Sequence, residues 1–396
     1  MVAENMRTQD RLDNLLPEII EWRRDIHQHP ELGYEVHRTA ALVAEKLKEF
    51  GCDEVVEGIG RTGVVGIIRG RKVSSNKVVG LRADMDALPI IEASGADWSS
   101  KTEGQMHACG HDGHTAMLLG AAQGLCDSRD FDGTVAVIFQ PAEEGGGGGE
   151  AMVLDGMMER FGINEVYGMH NMPGLPLGEF ALRPGPLMAA ADEFEITVEG
   201  QGGHAAMPHV CKDTLLAASH IVIALQSIVA RNIRPIHPAV ISVTTMQGDT
   251  EAFNVTPQMV TMRGTVRAFD EEVRQQLQER LIEVAEATAK VYGATAAVRY
   301  EVGYPPTVND EVKAGFAADV ARSIVGETKV DDDRPPIMGA EDFSYMLNER
   351  PGAFIFIGNG DSANLHHPEY DFDDRAISYG CRYWMELVDR AMPLNT

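Results

Sequence analysis

The sequence predicts a layered α/β domain interrupted by a smaller β-α-β-β-α-β insert. Three observations carry this expectation. Apolar, strand-like runs alternate with helical patterns in the outer parts of the chain. The middle of the chain changes to alternating strands around two amphipathic helices. At 396 residues the chain exceeds what one core ordinarily organises, so two domains are expected.

The outer elements follow in order. Helical patterns cover residues 10–28 and 36–50; in the second, Leu42, Leu47 and Phe50 fall near helical spacing and Gly51 supplies a stop. Strands are expected at Val64–Ile68, Val78–Arg82, Thr134–Gln140, Glu165–Met169 and Phe354–Ile357. Further helices are expected from near Gly113 to about Leu125, over Glu150–Glu159, and from Asp373 to about Ala391.

In the middle, Glu193–Glu199 places Phe194, Ile196 and Val198 on one strand face. Residues 213–230 form a helix striped by Leu215, Ala218, Val222, Leu225 and Val229, followed by strands near 239–246 and 258–268. Asp270 caps a long helix striped by Val273, Leu277, Leu281, Val284, Thr288 and Tyr292, and Thr295–Glu301 is the last strand. This is the split βαβ order of ferredoxin-like units, in which the first and last strands lie side by side. Its two ends therefore come together, and such a domain can enter a host at one point. The expected division is an insert at 188–302 and a host of 1–187 plus 303–396.

Apolar residues make up 44% of the chain, enough for sizeable cores, and the net charge is −26. That charge disfavours nucleic acid and anionic membrane surfaces as partners. The five cysteines, Cys52, Cys109, Cys126, Cys211 and Cys381, are odd in number and scattered, which fits a reducing cytosol better than a disulfide framework. Residues 1–10 contain no apolar signal core, and no stretch reaches ~18 uninterrupted apolar residues. A soluble, cytoplasmic protein is expected.

The chemistry concentrates in a few runs. Met106–His114 reads Met-His-Ala-Cys-Gly-His-Asp-Gly-His. Pro141-Ala-Glu143-Glu144-Gly follows the strand ending at Gln140, and Gly168-Met-His170-Asn171 ends another strand. A thiolate, imidazoles and carboxylates together suit a two-metal hydrolytic site for borderline-soft divalent ions. Sites in open α/β sheets gather at the carboxyl ends of strands, where these residues fall. Cys109 and His111 converge on an extended turn, with Gly110 and Gly113 relaxing the backbone. One of Glu143 and Glu144 can bind metal while the other moves protons. His107 and His114 flank Cys109 and His111 and read not as ligands but as residues that support the ligands or cap the helix. Asp84 and Asp86, on one side after a strand, either ligate or orient ligands. His27 and His29 read as structural hydrogen-bonding residues. From the tail, His366 or His367 supplies a last ligand, and spacing alone does not separate them. Gly145–Gly149 lacks the Lys-Ser/Thr of a phosphate loop.

Together these motifs resemble the aminoacylase/carboxypeptidase family of binuclear metallohydrolases, in its hippurate hydrolase and indole-acetyl-amino-acid hydrolase branch. The resemblance spans nearly the whole chain, from Arg23-Arg-Asp-Ile-His-Gln-His-Pro-Glu-Leu-Gly33 to Leu365-His366, and Gly202-Gly-His-Ala-Ala-Met-Pro208 supports it. It implies a mixed-sheet, metallopeptidase-like catalytic domain, with the insert as lid and dimerisation module of a homodimer or homotetramer. Cys109, His111, Glu144, His170 and His366 match its metal ligands, and Glu143 its general base. His204 matches a lid histidine that reaches an active site, usually the partner subunit's. Asn254 and Arg267 match residues that hold the substrate carboxylate; an Arg fork suits that task, and Arg267 equally suits a strand-surface charge. Related peptidases begin their site with His-x-Asp, where this chain has Asp84-Met-Asp86. Thiolate plus imidazole suits zinc, and the carboxylates also accept manganese, cobalt or nickel.

The implied activity is metal-dependent hydrolysis of N-acyl amino acids, aromatic acyl groups included. Two alternatives stay open: a dipeptidase or carboxypeptidase using the same chemistry, and a non-catalytic metal-binding or thiol-redox protein built on Cys109.

Overall fold

A computed structural model describes residues 2–394, with side chains from Leu12 onward. The chain forms two compact units. One comprises Met1–Gly185, Val308–Pro335 and Asp342–Thr396; the other comprises Pro186–Thr307 and Pro336–Glu341.

The first unit is built on a mixed sheet. Among the described residues its order is Glu54–Ile59, Gly63–Arg69, Thr134–Gln140, Val78–Asp84, Glu165–Met172, Gly352–Gly358, Phe180–Ala181 and Val330–Asp331. Thr134–Gln140, Val78–Asp84, Glu165–Met172 and Gly352–Gly358 form a parallel block. Gly63–Arg69 and Phe180–Ala181 pair antiparallel with that block. Strands such as Thr-Val-Ala-Val-Ile-Phe-Gln are buried almost end to end rather than alternately, as expected of strands covered on both faces. The parallel block therefore brings the residues following Asp84, Gln140 and Gly358, and the end of Glu165–Met172, to one edge.

The helix His111–Ser128 is buried on nearly every side and packs against Val2–Gln28 and Ala376–Ala391. Its small residues permit that approach: a Cβ on Gly120 would lie 2.6 Å from Ile19 Cδ1 and 2.8 Å from Cys381 Sγ. It begins at His111, two residues before the expected Gly113. Gly110, in the left-handed region at φ 88°, caps it. The single helix expected over Glu150–Glu159 is instead two, Gly148–Leu154 and Met157–Arg160, broken where Gly156 takes φ 79°. A helix at Glu311–Val325 lies outside the sequence expectations. Asp310 caps it by accepting from the Lys313 N–H at 2.9 Å, and its buried face is Ala314, Ala317, Ala318 and Ala321 with Val320. Alanine leaves little apolar contrast for a periodicity argument.

The second unit holds a four-stranded antiparallel sheet in the order Ala239–Gly248, Met259–Ala268, Ala190–Glu199, Thr295–Tyr304. The first and last strands of the β-α-β-β-α-β order are thus neighbours, as the split βαβ pattern requires. Helices Thr214–Arg231 and Glu271–Val291 pack on it around Phe194, Ile196, Leu225, Leu277 and Leu281. Asp270 caps the second helix, accepting from Val273 N–H at 3.0 Å. Thr214–Arg231, with mean hydropathy 1.5, is long and apolar enough to cross a membrane by composition. One face of it, Ala217, Ala218, Ile221, Leu225 and Ile228, packs on the sheet, while Leu215, expected on that face, is exposed.

Candidate metal centre

At the carboxyl edge of the parallel block, side chains from distant stretches converge. Ligand atoms of Cys109, His111 and His170 lie within 4.8 Å of one another, and so do those of Cys109, Glu144 and His366. Two donor triads thus share one sulfur. A third group joins His111 with Glu143 and Glu144. Cys109 Sγ is 3.3 Å from His170 Nε2, and His366 Nε2 is 3.1 Å from Glu144 Oε1.

Local structure aims each donor. Cys109 precedes Gly110, and His111 opens the helix, so a sharp left-handed turn lets both face one point. Gly110 admits no side chain: a Cβ there would stand 2.2 Å from Asn171 Nδ2 and 2.5 Å from Tyr370 Oη. Asn171 donates to the Cys109 carbonyl at 2.6 Å and accepts from the Tyr370 hydroxyl at 2.7 Å, fixing the turn from below. His111 Nδ1 lies 2.8 Å from the Asp86 carbonyl oxygen, and His170 Nδ1 lies 2.6 Å from that of Asn171. A carbonyl only accepts, so these contacts place the proton on Nδ1 and turn the Nε2 lone pairs inward. His111 Nε2 is buried without a hydrogen-bond partner. Inward-facing sulfur, nitrogen and oxygen donors with an orphaned imidazole nitrogen fit divalent metal ions.

The two aspartates behave differently. Asp84 has a partner on each oxygen, with Arg82 Nη1 at 2.6 Å from Oδ2 and His114 Nδ1 at 2.7 Å from Oδ1, and also groups with His111 and His114. Asp86 accepts the backbone N–H groups of Glu143 and Glu144 at 2.9 and 3.1 Å, pinning the turn that presents both glutamates. Asp86→Ala frees that turn. Metal affinity is expected to fall 10- to 100-fold by titration calorimetry, the range for residues that orient ligands; unchanged affinity would remove Asp86 from this role.

Electrostatics favour a cation here. Burial, with Glu144 and Glu143 nearby, holds the Cys109 thiol well above its usual range. Burial opposes charge on His111, yet Asp84, Asp86 and Glu144 outweigh it and lift its pKa to about 10, so the acidic surroundings hold on Nε2 a proton that a bound cation would displace. Burial and the neighbouring His114 keep His170 well below the usual histidine value. A buried thiol of raised pKa is a poor redox nucleophile without a metal, which counts against a thiol-redox role for Cys109.

His366 sits at φ 64°, with its N–H on the Ala108 carbonyl at 2.8 Å, and turns toward Glu144. His367 instead accepts from the Glu369 N–H at 3.1 Å on the surface. His114 is fully bonded, between Asp84 and the Asn171 N–H at 2.9 Å. Sequence reasoning missed Arg82, Asn171, Tyr370 and Asp342. Arg82 Nη2 and Gln140 Nε2 both bond Asp342 Oδ1, at 3.1 and 2.7 Å, beneath the site. Asn171 stood inside a run already singled out and Tyr370 lies four residues past His366, but nothing local marks their roles.

His204, Asn254 and Arg267 belong to the second unit. His204 pairs with Val255 in a two-stranded ladder, and the Ala205 N–H bonds the Asn254 carbonyl at 2.9 Å, so these two are neighbours. Arg267, on Met259–Ala268, directs Nη1 to Thr265 Oγ1 and to the Val266 carbonyl on its own strand.

His27 and His29 make structural bonds. His29 Nδ1 contacts the Asp25 carbonyl at 2.8 Å. His27, buried, bonds Asp112 at 2.8 Å and Glu92 at 3.2 Å. Burial opposes its charge, but Asp112 and Glu92 outweigh it and raise its pKa from 6.5 to about 9. A pKa raised on folding gives stability that is complete below pH 6.5 and is lost as pH rises through about 9. The shift corresponds to of order 3 kcal/mol. The urea midpoint should fall across this window in wild type, and the fall should be smaller in His27→Gln; equal profiles would refute the assignment.

Residues 80–390 match the model of Peptidase family M20/M25/M40. The chain is 41% identical over 382 residues to hippurate hydrolase of Campylobacter jejuni, covering 95% of this chain and 98% of that one. It is 40% identical over 385 residues to N-acetyl-L-cysteine deacetylase of Bacillus subtilis, covering 97% and 90%. A solved Bacillus subtilis structure described as a dinuclear metal binding peptidase from M20 family superposes with TM-score 0.83 at 34% identity, covering 96% and 99%. With a donor-lined sheet edge, an inserted β-α-β-β-α-β unit and relatives matched over nearly their full length, this chain belongs to the M20/M25/M40 peptidase family and is a metal-dependent amidohydrolase.

Proposed function

We propose that the protein hydrolyses N-acyl amino acids, N-aroyl ones such as hippurate included, to a carboxylic acid and an amino acid. The convergence of Cys109, His111, Glu144, His170 and His366, with Glu143 beside them, carries the reading. The identity to hippurate hydrolase supports the substrate class. Cys109, His111 and His170 would hold one divalent ion, and Cys109, Glu144 and His366 the other. Zinc fits the sulfur and imidazoles; manganese, cobalt or nickel fit the carboxylate share. Such ions supply Lewis acidity, lowering the pKa of water and polarising an amide carbonyl.

The chain's own residues do the rest. Glu143, held by the Asp86 contact to its backbone, takes a proton from water and returns it to the leaving nitrogen. Asp84 and Asp86 orient the donors. His204 stabilises the developing oxyanion, and Asn254 and Arg267 hold the substrate carboxylate. The second unit acts as lid and dimerisation module of a homodimer or homotetramer; exposed Leu215, Leu216 and Ile223 on Thr214–Arg231 support an apolar contact there. The five free thiols support a cytoplasmic location.

The test is a panel of hippurate, N-acetyl amino acids and dipeptides, run before and after chelation and metal return. N-acyl amino acids should have the higher kcat/KM, and chelation should abolish turnover reversibly. Preference for dipeptides would overturn the substrate class, and chelator-insensitive turnover would overturn the metal assignment.

A further inference from the structure

We propose that Cys52 and Cys126 are a redox-convertible dithiol, a modification site that a low-molecular-weight disulfide closes into a protein disulfide. Their sulfurs are 3.6 Å apart although 74 residues separate them in sequence. Closing to a covalent bond at about 2.05 Å needs a shift of roughly 1.6 Å, which side-chain rotation supplies in part.

The surrounding backbone holds the pair in place. Cys52 follows the helix His37–Glu49, its N–H bonded to the Leu47 carbonyl at 3.1 Å. Cys126 occupies the last turn of His111–Ser128. Arg129, the C-cap of that helix, ties the two segments together. Its Nη1 donates to Asp53 Oδ2 and its Nη2 to the Gly51 carbonyl, each at 2.7 Å, on either side of Cys52.

The two thiols are unequal. Cys52 is half-buried and Cys126 buried. The contact with Cys126 lowers the Cys52 pKa against the opposing effect of burial, and Arg129 adds to the lowering. The same contact and burial raise Cys126. A small disulfide reaches the more exposed Cys52 first, and Cys126, 3.6 Å behind it, is placed to resolve the mixed disulfide. Cys52 thiolate displaces one glutathione thiolate from glutathione disulfide, forming a mixed disulfide. Cys126 then gives its proton to the released glutathione thiolate, attacks the Cys52 sulfur and expels the second glutathione as thiolate. Two protein thiols are oxidised, and one small disulfide is reduced to two thiols.

The pair lies 15 residues along the helix from His111, about 22 Å at the α-helical rise. Closure therefore leaves the donors at Cys109 untouched. Cys211, near the Met207 carbonyl, is a half-buried thiol that serves as an internal comparison.

The experiment exposes metal-loaded protein to glutathione disulfide, quenches with acid, alkylates free thiols and maps peptides by mass. Wild type should yield a linked Cys52–Cys126 peptide pair, with Cys109 and Cys381 recovered alkylated. In Cys126→Ser, glutathione should be trapped on Cys52; in Cys52→Ser, Cys126 should remain free. Recovery of both Cys52 and Cys126 as free thiols in wild type, while Cys211 carries glutathione, would overturn the proposal. So would glutathione on Cys126 of Cys52→Ser as fast as on Cys52 of Cys126→Ser. The wild-type map needs no variant to fold, and no readout depends on the hydrolytic reaction.

Discussion

Glu143→Ala is expected to lower kcat about a thousandfold while the purified protein keeps wild-type metal content. The factor is the middle of the range for loss of a positioned general acid–base group. Glu143 and Glu144 are adjacent, buried or nearly so, and held by one aspartate. Their surroundings differ. Glu144 groups with Cys109 and His366, whereas Glu143 groups with His111 and Glu144 but not with the sulfur. Burial would favour the protonated form of Glu144, yet the bond to His366 and the nearby His111 bring its pKa below the ordinary value. An ionised carboxylate is the form that the proposed metal donor requires. The neighbouring glutamate is then left for proton transfer. Metal analysis beside single-turnover rates separates the roles. Glu144→Ala should lose metal along with activity, whereas Glu143→Ala should lose activity alone. Full turnover by metal-loaded Glu143→Ala would remove it as the base.

Much of this site was readable because its signals are local. Cys109-Gly110-His111 is one turn, Glu143-Glu144 follows one strand, and His170 lies near the end of another. Strand polarity then delivers all of them to one edge once the strands are parallel. What was unreadable depends on contacts across the chain. Spacing does not separate His366 from His367; the resemblance favours His366, and the physical reason, its left-handed backbone and its bond to Ala108, is visible only in the fold. Arg82 sits in a strand as an ordinary buried residue until Asp342, 260 positions later, closes the network beneath Asp84. Tyr370 acquires its role from Asn171, 199 positions earlier. The Glu311–Val325 helix escaped for a different reason: its buried face is mostly alanine, so capping by Asp310 was the only sharp signal.

Cys109→Ala should be the most damaging single change to metal content. Its sulfur belongs to both donor triads, while His170 belongs to one and His366 to the other. Removing a donor that serves one ion leaves the second site intact, so His366→Ala should retain one of two ions at reduced affinity. Removing the shared sulfur leaves each triad with two donors, below the three protein ligands that catalytic zinc sites ordinarily keep. Cys109→Ala should therefore purify with little of either ion and with turnover at background. Cys109→Asp is the informative control, since a carboxylate restores an anionic donor in nearly the same volume and shifts preference from zinc toward manganese. Circular dichroism shows whether the fold persists, because Cys109 also packs among buried residues. If Cys109→Ala folds and retains both ions, the sulfur is not shared, and the two triads are not two metal sites.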